Sequence, residues 1–267
     1  MVSEDGIHPG QPPSVDSLPM HEPHEVFEAP SNPDISIWRY MNLAKFISML
    51  KDSALHFARA DRMNDEFEGS ISKPTFLLRR AALADIPDLD VERLNVHMAQ
   101  GRKQFQQFIY LNCWHMNEHE SVAMWDLYLG GESQGIAIRS TYRRLTSSIT
   151  DQRPVHLGKV NYVDYAVEIT PDRNALHPYL YKRKSFEHER EIRAIHLGHQ
   201  VGDSGTAVPL GLDLVPITVD LDRLVEAVYV SPKAPAWFAT LVRDLINRYG
   251  RNWDDPHHSS LDGDPIY

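Results

Sequence analysis

Two glutamates and an arginine occupy alternate positions late in the chain, at Glu189, Glu191 and Arg193. Alternate residues of a β-strand project from the same face, so these three side chains are predicted to lie together. Two adjacent carboxylates raise each other's pKa, and a nearby arginine opposes that effect. A carboxylate held in this way can stabilise positive charge that develops during a reaction. The pattern also fits a ladder of ion pairs with no catalytic role, and this alternative stays open.

An acidic cluster follows the second predicted strand, at 55–57, and contains Asn64, Asp65 and Glu68. Asn and Asp commonly begin turns and helices, and this structural role is one interpretation of the cluster. If the cluster is functional, its carboxylates line a cleft and bind either substrate or a metal. A metal-dependent nuclease would place them and the two late glutamates around Mg²⁺, with Lys184 beside them.

Aromatic residues at helical spacing include Trp125 and Tyr128, which are expected to pack in the core and are candidates for the wall of a ligand pocket. The single cysteine, Cys113, lies in an apolar strand and is expected to be a buried thiol. His115 and His119 match no standard zinc spacing, so the segment between them is interpreted as a polar loop. No metal site is predicted.

The composition excludes several classes of function. The chain has 267 residues, with 27 Lys and Arg against 37 Asp and Glu, giving a net charge of −10. Without a long basic run, it has no surface for general duplex binding, although a short basic patch spans 182–184. No GxGxxG, P-loop, HExxH or GxSxG motif is present. One cysteine, no apolar run of membrane-spanning length and no secretory signal predict a cytoplasmic protein without a membrane partner.

The order of the predicted elements indicates an α+β fold. Residues 1–34 are rich in proline and acidic residues, which predicts a mobile tail, and 35–267 are predicted to form a single domain. Short strands outnumber helices and show no regular βαβ alternation, so we expect a mostly antiparallel or mixed central sheet with flanking helices. Helices are predicted at 76–84 and 92–107, between the early and late strands.

Four clusters together resemble the DUF2971 family of bacterial proteins. They are Trp38-Arg39-Tyr40, the acidic cluster at 64–68, Cys113-Trp114-His115 with the aromatic residues that follow, and the charged run at 182–193. The resemblance extends from about residue 37 to the end of the chain. The family name carries no assigned reaction, so the resemblance bears on the fold more than on the function.

The order of these landmarks also resembles that of ADP-ribosyltransferases of the arginine, serine, glutamate type. The resemblance implies that Arg39 holds the phosphates of NAD and that Ser140 braces the site. It further implies that Glu191 stabilises the ribose oxocarbenium ion and that Glu189 orients the acceptor. A bidentate guanidinium suits a pyrophosphate chemically. The remaining candidates for ligand contacts are Tyr40, Asn64, Asp65, Glu68, Trp125, Tyr128, Lys184 and Arg193.

The predicted function is therefore an ADP-ribosyltransferase or NAD glycohydrolase that uses NAD as its substrate. Its partner is a nucleotide-like small molecule, its acceptor is an unidentified protein or nucleic acid, and a role as a toxin or in phage defence is consistent with this chemistry. A non-catalytic nucleotide- or protein-binding module and a metal-dependent nuclease are the alternatives. A transferase needs Arg39 and Glu191 within one ligand's length, whereas a nuclease needs the carboxylates within bridging distance of a metal.

Overall fold

The computed structural model describes residues 24–84 and 86–262. Its helices are α1 Leu43–Asp52, α2 Lys73–Ala84, α3 Val91–Phe105, α4 Val122–Leu129, α5 Tyr142–Ser148, α6 Leu221–Leu224 and α7 Ala236–Arg248. Its strands are β1 Ser36–Asn42, β2 Ala54–Arg59, β3 Ile109–Met116, β4 Gly135–Thr141, β5 His156–Lys159, β6 Asn161–Val163, β7 Tyr181–Arg183, β8 Glu191–Leu197, β9 His199–Val201, β10 Ala207–Pro209, β11 Leu214–Thr218, β12 Ala227–Val230 and β13 His257–His258.

A central mixed sheet confirms the predicted α+β class. Seven of its strands follow the order β11-β2-β3-β1-β4-β12-β13, and β8 and β5 extend from β3. All neighbouring pairs of this sheet are antiparallel except β12 and β13, which are parallel. The predicted helices between the early and late strands are present as α2 and α3. None of the helices in the described part of the chain is long and apolar enough to cross a membrane.

Along one edge of β3 the sheet forks, because β1 and β2 pair with different ends of that strand. The other edge of β3 pairs with β8 from Ile109 to His115. At the fork, β2 pairs only with Leu111 and Tyr110, whereas β1 pairs only with Met116 and His115. The two strands therefore diverge beside residues 112–114, and the backbone groups of this stretch need other partners.

The main core lies on one face of the sheet and contains α1, α5 and α7. Asn42 begins α1 because its side-chain oxygen accepts a hydrogen bond from the Lys45 amide, and Phe46 and Leu50 of that helix are buried. On the opposite face, α4 covers β1 and β4 with an aromatic cluster that includes Trp38, Tyr40 and Trp125. A third apolar cluster lies beneath the loop that contains Tyr179.

The packed part of the chain includes residues 24–34, although the composition of 1–34 predicted a mobile tail. Phe27 packs against the third apolar cluster, the carbonyl of Glu28 accepts a hydrogen bond from the Lys159 amide at 2.8 Å, and Asp34 pairs with Arg143. Two apolar side chains, Val26 and Phe27, and a few main-chain bonds thus hold this segment despite its polar composition. The rest of the predicted tail, residues 1–23, lies outside the described residues.

Candidate functional site

A buried guanidinium lies at the centre of the late charged run. Arg193 is 0% exposed. It donates hydrogen bonds to both carboxylate oxygens of Glu68, at 2.7 and 2.9 Å, to Glu191 at 2.9 Å and to the carbonyl of Tyr179 at 2.6 Å. Burial alone opposes the charge, but Glu191 and Glu68 raise the pKa of Arg193 well above its ordinary value. Glu68 is therefore an ion-pair partner of the β8 charges.

Lys182 brings the two glutamates of the motif together. Its ammonium forms a short hydrogen bond with Glu189 and lies 3.5 Å from Glu191. The prediction that the motif shares one strand face holds for Glu191 and Arg193. It does not hold for Glu189, because that residue ends the 3₁₀ helix Lys184–Glu189 and the strand begins only at Glu191.

The backbone reverses at Arg190, between the two glutamates. Its φ of 40° and ψ of 54° place it in the left-handed region, which costs a residue with a Cβ about 1–2 kcal/mol. This reversal brings Glu189 to the same ammonium as Glu191. Strain of this kind concentrates at functional sites, where the surrounding structure has to maintain it.

The two glutamates have pKa values displaced in opposite directions. Burial raises the pKa of Glu189, and the charge of Glu191 raises it further against the effect of Lys182. Burial also acts to raise the pKa of Glu191, but Arg193 and Lys182 outweigh it, so its pKa is lowered. The ionised form of Glu191 is therefore favoured, whereas Glu189 takes up a proton at a higher pH than an ordinary glutamate. Such a pair divides the roles of charge stabiliser and proton acceptor.

Arg39 occupies the fork in the sheet. Its Nη1 donates to the carbonyl of Cys113 at 2.6 Å, and this bond satisfies a backbone group left free where β1 and β2 diverge. The Cys113 thiol adjoins the Glu191 carboxylate and helps to lower the pKa of that group. Burial raises the pKa of the thiol to about 12, so Cys113 is a buried neutral thiol, as predicted. Arg39 and Glu191 therefore contact the same residue from two sides.

Arg39 has no carboxylate partner in the described part of the chain. Burial lowers the pKa of its guanidinium, and the groups that act in the opposite direction are Tyr128 and Cys113. Lys45, in the first turn of α1, is close enough that burial and the charge of Arg39 lower its pKa. Two positive charges at the beginning of a helix, one partly buried and one exposed, are a favourable place for an anion.

An aromatic cluster lies beside Arg39, on the face of the sheet that α4 covers. The Tyr40 ring lies 4.8 Å from Trp125, edge to face, and 6.2 Å from Tyr128, in a stacked arrangement. Tyr128 remains 41% exposed, and its phenol interacts with the charges of Arg39 and Glu191. Trp125 is buried, and its indole N–H donates to Glu120. Helix α4 thus contributes one core residue, Trp125, and one accessible ring, that of Tyr128.

His115 is a buried member of the site that the sequence argument interpreted as part of a polar loop. It is 4% exposed and lies opposite Glu191 across β3 and β8. Its Nδ1 lies 2.7 Å from the carbonyl of Glu189 and donates to it, while Nε2 is buried without a partner among the described residues. Burial lowers the pKa of the ring, which favours the neutral form. Because the carbonyl fixes the proton on Nδ1, Nε2 is a free acceptor.

A cleft of about 480 Å³ opens at the beginning of β8. Glu191, Arg190 and Tyr162 line it together with the loop that contains His119. The Glu191 amide donates to the Tyr162 hydroxyl at 2.8 Å. The start of the strand is therefore open to a ligand from one side.

Several predicted site residues lie elsewhere. Ser140 is buried on the opposite face of the sheet, and its hydroxyl donates to the carbonyl of Leu224 at 2.5 Å. Asn64 and Lys184 are exposed. Asp65 forms an Asx turn with the Phe67 amide and pairs with Arg183 at 2.9 Å. The acidic cluster thus begins a turn and supplies ion-pair partners.

The arrangement of carboxylates does not fit a metal centre. Glu68, Glu189 and Glu191 are each bound by a guanidinium or an ammonium, which occupies the oxygens that a metal would need. Within residues 24–84 and 86–262, no group of three or more His, Cys, Asp or Glu residues could hold a metal ion. The donor set therefore does not support the nuclease alternative.

Comparison with known proteins gives distant similarities. No protein-family model matches the chain, and no curated protein matches it. Three solved structures of DarT from Thermus sp. 2.9 are similar to it. The complex with ADP-ribosylated ssDNA has 9% identity and a TM-score of 0.37, covering 87% of this chain and 95% of that one. The complex with carba-NAD⁺ has 8% identity and a TM-score of 0.39, covering 86% and 98%. The complex with NAD⁺ has 9% identity and a TM-score of 0.38, covering 86% and 96%.

Similarity at this level establishes neither a common fold nor a common activity. The DUF2971 resemblance likewise stays a prediction.

Proposed function

We propose that this chain binds NAD and transfers or hydrolyses its ADP-ribosyl group. The observation that carries the proposal is the contact of Arg39 and Glu191 with the two sides of Cys113. An unpaired guanidinium and an ionised carboxylate then lie within the length of one dinucleotide. NAD is negative at its pyrophosphate and becomes positive at the nicotinamide ribose when the glycosidic bond breaks, so it needs both charges.

The anionic end of the ligand would lie against Arg39. One nitrogen of this guanidinium is bound to Cys113, and the described residues supply no hydrogen-bond acceptor for its others. Lys45 adds a second positive charge at the start of α1. A pyrophosphate would complete the hydrogen bonds of this partly buried guanidinium.

The reacting end would lie at the two glutamates. The bond between ribose C1′ and the nicotinamide nitrogen breaks, and its electron pair leaves with nicotinamide. The Glu191 carboxylate stabilises the oxocarbenium ion that forms. An acceptor hydroxyl or water then attacks C1′ and passes its proton to the carboxylate of Glu189, whose raised pKa suits a proton acceptor.

The test is release of nicotinamide from NAD by the purified protein, with and without cell lysate as a source of acceptor. Removing one preorganised electrostatic contact typically lowers kcat by about 10²–10³-fold, so we expect a loss of this size in Glu191→Gln. Arg39→Gln should mainly raise KM, because its guanidinium binds a part of the substrate that does not react. Glu187→Gln is the matched control, since Glu187 is exposed and adjoins the same cleft.

Thermal unfolding of each variant separates a catalytic loss from a folding defect. If the wild-type protein releases no nicotinamide but binds NAD in a manner that depends on Arg39, the chain is a binding module. If it neither binds NAD nor releases nicotinamide, the proposal is wrong.

A further inference from the structure

A second cavity lies behind the charge network, between α3 and the loop 172–179. Its volume is about 350 Å³, which is within the range of small-molecule sites. Met98 and Phe105 of α3 line one side, and Pro178 and Tyr179 line the other. These side chains give the cavity an apolar surface on which a flat ring can pack.

Two arginines beside this cavity share one carboxylate. Arg79 Nη1 and Arg102 Nη2 lie 3.5 and 3.7 Å from the same oxygen of Asp172. The fully paired Arg193 instead lies 2.7 Å from its glutamate. Burial and the charge of Arg79 lower the pKa of Arg102 despite Asp172. One carboxylate thus leaves this pair with a net positive charge and incomplete hydrogen bonds.

Buried polar atoms of α3 and of Arg79 lack partners among the described residues. Asn95 is 5% exposed, and neither its side-chain oxygen nor its nitrogen has a hydrogen bond with any described residue. It lies on the face of α3 that carries Met98 and Arg102, at positions i, i+3 and i+7. The Nε of Arg79 is also buried without a partner in the described part of the chain. Unsatisfied buried polar groups are rare in native proteins, and a bound ligand is one explanation for them.

We propose that this cavity binds a nucleoside monophosphate. The phosphate contacts the guanidinium of Arg102, which lines the cavity beside Asp172, and the nearby guanidinium of Arg79 adds a second positive charge that the phosphate neutralises. The base packs against Phe105 and Tyr179, on the apolar side of the cavity. A phosphate without a ring would leave that surface unused, and an uncharged nucleoside would leave the second positive charge of the arginine pair unbalanced.

The site is connected to the charge network through Tyr179. The carbonyl of Tyr179 accepts a hydrogen bond from Arg193, which also binds Glu191. Gly69, beside Glu68 in the chain, lines the cavity as well. A ligand here therefore contacts residues that position the Arg193 guanidinium.

The experiment is titration calorimetry of the full chain with AMP, ribose 5-phosphate, adenosine and inorganic phosphate. Gly101 offers a variant that blocks the site with little risk to folding. It lines the cavity, it is exposed on α3, and a Cβ added there meets no atom within 4 Å. Gly101→Leu should place a branched side chain in the cavity and obstruct it, whereas Gly101→Ala adds only one methyl group with a similar gain in helix propensity. The Ala variant is therefore the matched control.

We expect AMP to bind more tightly than the other three probes, and salt to weaken its binding. Gly101→Leu should abolish binding, Gly101→Ala should retain it, and Arg102→Gln should weaken it by roughly tenfold or more. Equal binding by Gly101→Leu and the wild type overturns the proposal, as does equal affinity for AMP and inorganic phosphate. Arg39→Gln leaves this binding unchanged if the site is independent of the NAD cleft, and loss of AMP binding in Arg39→Gln assigns AMP to that cleft instead.

Discussion

Replacement of Arg193 by methionine tests whether this arginine holds the site together. The variant keeps the apolar stem and removes four hydrogen bonds to Glu68, Glu191 and Tyr179. Removing one partner of a buried ion pair typically costs about 3–5 kcal/mol, because the other charge stays buried and unpaired. Lys182 remains beside Glu191, whereas Glu68 loses both of its contacts with Arg193.

We therefore expect a loss of about 4 kcal/mol in the free energy of unfolding at neutral pH. At roughly 2–4 °C per kcal/mol for a chain of this size, Tm should fall by about 8–16 °C. Urea denaturation followed by circular dichroism measures the first quantity and calorimetry the second.

The loss should depend on pH with a definite sign. In the wild-type protein, the lowered pKa of Glu191 contributes stability that is present above the unfolded-state value and is lost as pH falls through the folded-state value. Without Arg193, the pKa of Glu191 should rise in the folded state. The free-energy cost of keeping this carboxylate ionised and buried is then complete near neutral pH, and it disappears when the carboxylate is protonated at acidic pH. The difference between variant and wild type should therefore shrink at acidic pH.

Arg143→Met is the matched control, because Arg143 binds both oxygens of Asp34 with similar geometry at the surface. Water screens that pair, so its loss should have little effect on Tm. A double variant, Arg193→Met with Glu68→Met, should recover about half of the lost stability, because it removes the buried carboxylate that has lost its partner, while Lys182 still stands beside Glu191. A loss below about 1 kcal/mol in the single variant, or no recovery in the double variant, would refute the reasoning.

Two further predictions concern the proton acceptor and a tight turn. The raised pKa of Glu189 should give the rate of NAD cleavage an acidic limb, because the carboxylate must be deprotonated to accept a proton. Glu189→Gln should lower the rate and remove this limb from the kcat–pH profile; a limb that persists assigns the titration to another group. Gly69→Ala should cost about 2–4 kcal/mol in urea denaturation, since Gly69 has a φ of 71° and a Cβ would lie 2.7 Å from the Tyr179 ring. Gly101→Ala should instead be neutral or stabilising, and equal losses in both glycine variants would contradict this explanation.

Local patterns predicted the sheet class, the helices α2 and α3, and the contact between Glu191 and Arg193. These features depend on the alternation and spacing of residue types within short segments, and a single sequence is enough to show such local patterns. The partner of Arg193 could not be predicted in this way, because Glu68 lies 125 residues away and reaches it only through the fold. The fork at Cys113 depends on which strands share an edge of β3, and nothing local encodes this.

Ser140 and His115 show the same limit of prediction from sequence. Ser140 was expected in the site and lies outside it, whereas His115 was expected in a loop and lies in the site. Ser140 lies near the end of β4, close to where a strand end was expected, but the register of β1 and β4 turns it into the core. His115 looked like part of a loop because polar residues follow it, yet β3 continues to Met116 and buries the ring. In both cases the pairing of distant strands decided which face the side chain occupies.

The left-handed backbone at Arg190 limits which amino acids this position accepts among homologues. Its side chain is exposed, so a surface position would ordinarily vary freely. Glycine, asparagine and aspartate tolerate this conformation best, whereas β-branched residues and proline would prevent the reversal. Sequence variation at 190 should therefore be narrow for a reason that lies in the backbone, and a homologue with valine or proline there should have lost the meeting of the two glutamates at Lys182.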